Sequence, residues 1–113
     1  MERNEAVEQP IKDNVRACVY QALDEVNELL LSDDRLPKTP ATVLYSNSGG
    51  LDSLGLVNLI VAVEQKIFKK MNITLSLVNE ESMSQKDSPF YSVETLCAYI
   101  AMLISKKSPG TNS

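Results

Sequence analysis

The sequence predicts an all-α domain, a four-helix bundle with a long first loop and a short third helix. Three observations carry that expectation. Three segments place apolar residues at gaps of three and four, the period of a helix with one buried stripe. Between the first two lies an aperiodic stretch rich in Pro, Gly, Ser and Thr. The 113-residue length suits one compact domain and no second.

The first helix is expected over 11–31, where Ile11, Val15, Cys18, Val19, Ala22, Leu23, Val26, Leu29 and Leu30 form the stripe. Pro10 would sit in its first turn, and Ser32-Asp33-Asp34 would end it. Residues 32–52 then read as loop, with room for one helical turn near Val43 to Tyr45. A second helix follows from Ser53 to Lys70, capped by Asp52 and closed by Lys66, Lys69 and Lys70. Its apolar residues nearly encircle it, with Leu59, Ile60 and Val63 expected inward and Leu54, Val57 and Val61 on a neighbouring face. Glu80 to Lys86 fits a short helical turn. The alternation Ile73, Leu75, Leu77 is a weak strand signal that would have no partner. Ser92 reads as the N-cap of the last helix, with Tyr91 and Leu96 as a hydrophobic staple. Val93, Leu96, Cys97, Ile100, Leu103 and Ile104 form that helix's stripe. The organisation is thus an N-terminal flank at 1–10, a domain at 11–104 and a loose tail at 105–113.

Composition excludes several functions. The absence of His removes Ser-His-Asp and Cys-His nucleophile systems, imidazole bases and His-ligated metals. Cys18 and Cys97 are too few for a disulfide scaffold or a Cys-only zinc site, and both lie on apolar stripes as small hydrophobes. No metal site is expected. No apolar run reaches the roughly 20 residues of a membrane span, and the charged start at Met1 to Ala6 has no signal-peptide pattern. A cytoplasmic protein is the expectation, with the sequon Asn72-Ile73-Thr74 a chance match. A net charge of −4 argues against nucleic acid as partner. The acids cluster early: residues 1–34 hold nine against Arg3, Lys12 and Arg16, whereas 53–70 hold only Glu64 against three lysines.

The informative stretch is Gly50-Leu51-Asp52-Ser53-Leu54, at the head of the second helix. Unpartnered N–H groups and the positive end of the helix dipole make a favourable field there for an anion on the Ser53 oxygen, a phosphodiester being the obvious one. Asp52 or Ser53 as a plain N-cap, and Gly49-Gly50 as a tight turn, is the bland alternative.

In residues and in placement, Asp52-Ser53-Leu54 resembles the signature of the acyl carrier protein family. Gly50-Leu51 before it, Leu59 and Ile60 within the helix, and Ala62-Val63-Glu64 extend the likeness, as does the order of elements from Ile11 to Ile104. The resemblance implies a bundle of acyl-carrier type that is itself not an enzyme. Ser53 would receive a covalent 4′-phosphopantetheine arm from coenzyme A, through a phosphopantetheinyl transferase using Mg²⁺. Asp52 and Leu54 would be read by that transferase. Leu54, Val57, Val61 and Glu64 would dock acyl-transferring or acyl-modifying enzymes. The arm would carry acyl thioesters for fatty-acid, specialised lipid or polyketide synthesis, on a monomeric carrier.

The chain departs from the family where Gly55, Asn58 and Gln65 stand in place of acids, leaving Asp52 and Glu64. That pattern points to a specialised carrier with a dedicated partner, and whether the acidic first helix replaces the missing acids is a question that reversing Glu25 and Glu28 would answer. Two other readings remain. One is a peptidyl (aminoacyl) carrier, whose double glycine is echoed by Gly49-Gly50, although Ser53 follows the second glycine by three residues rather than two. The other is an unmodified helical adaptor, binding partners through its apolar second helix. A serine hydrolase fails for want of a His base and of the nucleophile-elbow glycine spacing.

Overall fold

A computed structural model describes residues 2–46, 49–78 and 89–107, with side chains placed for 11–46, 49–78 and 89–106. Among these residues the chain is mostly helical: α1 (Glu2–Glu28), α2 (Ser53–Met71) and α3 (Val93–Lys107). A 3₁₀ turn at Ser32–Asp34 and a two-stranded antiparallel ribbon, β1 (Tyr45–Ser46) with β2 (Gly49–Gly50), interrupt the first connection. The described residues therefore form a bundle of three helices, not the expected four. The short helix expected at Glu80 to Lys86 lies outside the described residues, as does the tail beyond Lys107.

One apolar core joins all three helices. α1 contributes Val15, Cys18, Val19, Ala22, Leu23 and Val26. α2 contributes Leu56, Leu59, Ile60, Ala62, Val63 and Ile67, and α3 contributes Val93, Leu96, Ile100 and Ile104. Leu44, Leu51, Leu75, Leu77 and Phe90 enter from the connections. The period of three and four in the sequence is thus the period of burial.

The ends of α1 differ from the expectation. The helix starts at Glu2, so Pro10 lies within it and the expected flank is, from residue 2, continuous with it. Glu2, Arg3, Glu5, Ala6, Glu8 and Gln9 are all good helix formers, which favours extension past the proline despite its missing N–H. At the other end the helix stops at Glu28, three residues early. Leu29 and Leu30 donate to the carbonyls of Val26 and Asn27, three residues back, which tightens the last turn and carries Leu29 off the buried stripe into solvent. The exposed carbonyls there are met by Arg35, whose Nε donates to Asn27 O at 2.9 Å and Leu30 O at 3.3 Å. The Asn27 side chain bonds Leu36 in both directions, each at 2.9 Å, and folds the chain back along the helix.

The long connection is more ordered than a loop. Val43 bridges Ser92, where a helical turn was expected near Val43 to Tyr45. Leu44 N–H donates to Tyr91 O at 2.7 Å, and Thr42 O and Pro40 O accept from Val93 and Glu94 at 3.0 and 2.9 Å. Ser92 Oγ accepts from Thr95 N–H at 3.2 Å, completing the cap of α3 as expected. The staple differs: Tyr91 is half exposed, and Phe90 is the buried aromatic, edge-on to Tyr99 at 6.4 Å between ring centres. Residues 73–77 carry no strand.

Candidate functional site

Asp52 caps α2 as its sequence position predicts. Its Oδ1 accepts from Gly55 N–H at 2.7 Å, and its carbonyl accepts from Leu56 N–H at 2.9 Å. At the far end Asn72 adopts the left-handed conformation, φ 58°, with Lys69 and Lys70 in the last turn. A Cβ on Gly55 would stand 3.1 Å from Asp52 Oδ1 and 3.2 Å from Leu51 Cβ, so any larger residue there presses on the cap.

Ser53 is the first residue of the helix and is exposed. Among the described residues, no acceptor meets the backbone N–H of Ser53 or of Leu54. Two orphan donors and the positive end of a 19-residue helix therefore lie at the turn that carries the Ser53 hydroxyl. Its hydrogen-bond partner is the Tyr45 hydroxyl, at 3.3 Å.

Tyr45 is a site residue that sequence reasoning missed, because a two-residue strand leaves no periodic trace. The available signal was one aromatic amid a polar, glycine-bearing connection in a chain with only four Tyr and two Phe. The ribbon that presents it depends on Gly50, at φ +91°, and its turn is tied by Ser46 Oγ donating to Gly49 O at 3.2 Å. Leu51 N–H donates to Leu44 O at 2.7 Å and fixes the approach to Asp52.

Along α2 the solvent face is apolar. Leu54 is 69% exposed, Val57 51%, Val61 46% and Phe68 52%. At 100° per residue these four lie within an arc of about 60°. The expected division of the helix is therefore what the structure shows, with Leu59, Ile60 and Val63 buried. Glu64 sits at the edge of this face. Its Oε2 accepts from Leu77 N–H at 2.9 Å, so its carboxylate holds the segment after α2 rather than pointing freely outward. Behind that segment Glu64, Gln65, Phe68, Lys69, Thr74 and Leu75 help line an open cavity of about 530 Å³.

The acids of α1 are partly committed. Glu25 pairs with Lys66 of α2, and Asp24 pairs with Lys38 at 3.2 Å. Neither cysteine is poised for chemistry. Burial pushes the Cys18 thiol up despite the nearby Lys70 and Lys66, and pushes Cys97 up to about 11 despite Arg16. Comparison of the chain with protein-family models, with curated proteins and with solved structures returns no match.

Proposed function

We propose that this chain is an acyl carrier whose arm, 4′-phosphopantetheine from coenzyme A, is attached to Ser53. The observation that carries the reading is the placement of Ser53: exposed, first in α2, preceded by the capping Asp52 and followed by Leu54. In the transfer, Ser53 Oγ forms a bond to phosphorus as the pyrophosphate bond of coenzyme A breaks. The adenosine bisphosphate half leaves, and the serine proton passes to a base on the transferase. The phosphodiester so formed would be an anion at the positive end of the helix, where two N–H groups have no partner among the described residues.

The rest of the chain supports the same reading. An apolar face running from Leu54 to Phe68 lies beside the attachment point, where partner enzymes would dock through Leu54, Val57 and Val61, with Glu64 at its edge. A tether at the head of that face raises the local concentration of cargo at a docked active site. The carrier would work as a cytoplasmic monomer with a dedicated set of acyl-transferring or acyl-modifying enzymes. The exposed face also favours a second reading, an adaptor that binds partners through α2 and carries no arm.

Intact mass separates the two. After incubation with coenzyme A, Mg²⁺ and a broad-specificity phosphopantetheinyl transferase, the chain is expected to gain one phosphopantetheine, and Ser53→Ala to gain none. A folded, unmodified chain that gains nothing with several transferases is an adaptor.

A further inference from the structure

Resting on the carrier reading, we propose that Tyr45 is a positioning residue for the group attached to Ser53, its hydroxyl holding the phosphodiester and so setting the direction in which the arm leaves α2. The two hydroxyls lie 3.3 Å apart, and in the unmodified protein either one can donate. Esterification removes the Ser53 proton and leaves Tyr45 as the donor of the pair. The non-bridging phosphate oxygens, one bond beyond phosphorus, then offer that donor an anionic acceptor, and a charge-assisted O–H···O⁻ bond is stronger than the neutral one it replaces.

Three features keep the phenol at that point. Tyr45 lies in β1, paired across the ribbon with Gly50, so its register partner puts no side chain on the shared face. The backbone on either side is tied down, Tyr45 N–H donating to Tyr91 O at 3.3 Å and Leu51 N–H to Leu44 O at 2.7 Å. Tyr45 is 37% exposed, and its hydroxyl meets that of the exposed Ser53, where the substituent must stand. A plain packing role for Tyr45 calls for no hydroxyl.

The test compares phosphopantetheine-loaded wild type with loaded Tyr45→Phe, which keeps the ring and deletes one oxygen. The ³¹P resonance of the wild type is expected to be displaced from that of the variant, which moves toward free phosphopantetheine. Loading of the variant is expected to fall about threefold to tenfold in kcat/KM, the loss of one hydrogen bond, with an unchanged urea midpoint. In the wild type alone, a ¹H–³¹P Overhauser effect should connect the Tyr45 ring edge to phosphorus, which keeps the test decisive even where the variant folds poorly. Coincident ³¹P resonances in the two loaded proteins, or no Overhauser effect in the wild type, overturn the role of Tyr45 and leave the carrier reading intact. A wild type that accepts no phosphopantetheine overturns both.

Discussion

Gly50 and Leu44 are in such close backbone contact that a Cβ added to Gly50 would stand 2.5 Å from the Leu44 carbonyl oxygen. That oxygen also accepts the Leu51 N–H, the last tie before Asp52 and Ser53. The glycine therefore permits both the left-handed turn and the approach that delivers Ser53 to the head of α2. Gly49, with nothing within 4 Å of a Cβ position, has no such duty.

Gly50→Ala is accordingly expected to lose about 2 kcal/mol or more, since the positive φ alone costs about 1–2 kcal/mol before the clash is counted. Gly49→Ala should stay within about 0.5 kcal/mol of wild type. Urea unfolding of the two variants checks the contrast, and equal losses would refute the account of the ribbon.

Asp52 combines a cap with a charge, and two substitutions separate them. Asp52→Ala is expected to cost about 1 kcal/mol by freeing the Gly55 N–H, while Asp52→Asn retains an accepting oxygen and should cost a few tenths. If the transferase reads the carboxylate, loading rates fall in both. If it needs only the cap, Asp52→Asn loads like wild type.

What was legible in the sequence was what local chemistry determines. Asp52, Ser53 and the lysines at the far end of α2 mark that helix through its own caps and dipole, and the buried positions follow from its period. The end of α1 was less legible, because Asn27 and Arg35 close it through contacts with residues eight or nine positions away. The ribbon at 45–50 could not be read, since two-residue strands carry no alternation and Gly50 is explained by its positive φ and by the carbonyl of Leu44, neither of which leaves a periodic trace. The same gap hid Tyr45. The docking role proposed for Glu64 rests on its charge; what could not be read is the Leu77 N–H that its carboxylate accepts, 13 residues further along the chain.

Cys97 gives a prediction in pH. Its thiol is held up to about 11 in the folded chain against an ordinary value of 9.0, so only the unfolded chain ionises between the two. The folded state binds the extra proton, and its stability therefore falls as pH rises through this window. Well below pH 9 the group contributes no slope. Relative to wild type, Cys97→Ala should show a shallower loss of stability between about pH 9 and 11 in urea titrations, with parallel curves below. Alkylation supplies a second check. At pH 8 Cys97 should react about a hundredfold more slowly in native protein than in urea, in proportion to its thiolate fraction.

On the carrier reading, the two sides of α2 separate folding from recognition. Leu59 is fully buried, and Leu59→Ala is expected to cost about 2–5 kcal/mol through lost burial and a residual cavity. Val57, half exposed on the opposite side, should tolerate Ala within about 0.5 kcal/mol. Recognition should invert that order. Val57→Asp places a charge amid Leu54, Val61 and Phe68, where any docked partner would have to desolvate it. With the fold preserved, its transferase loading is expected to fall about tenfold or more, the cost of burying one unpaired charge at an interface. Measured kcat/KM for coenzyme A loading, beside urea midpoints for all three variants, decides the point. Loading that follows stability alone would mean that this face docks nothing, and unchanged loading of Val57→Asp would move the transferase contact elsewhere on the chain.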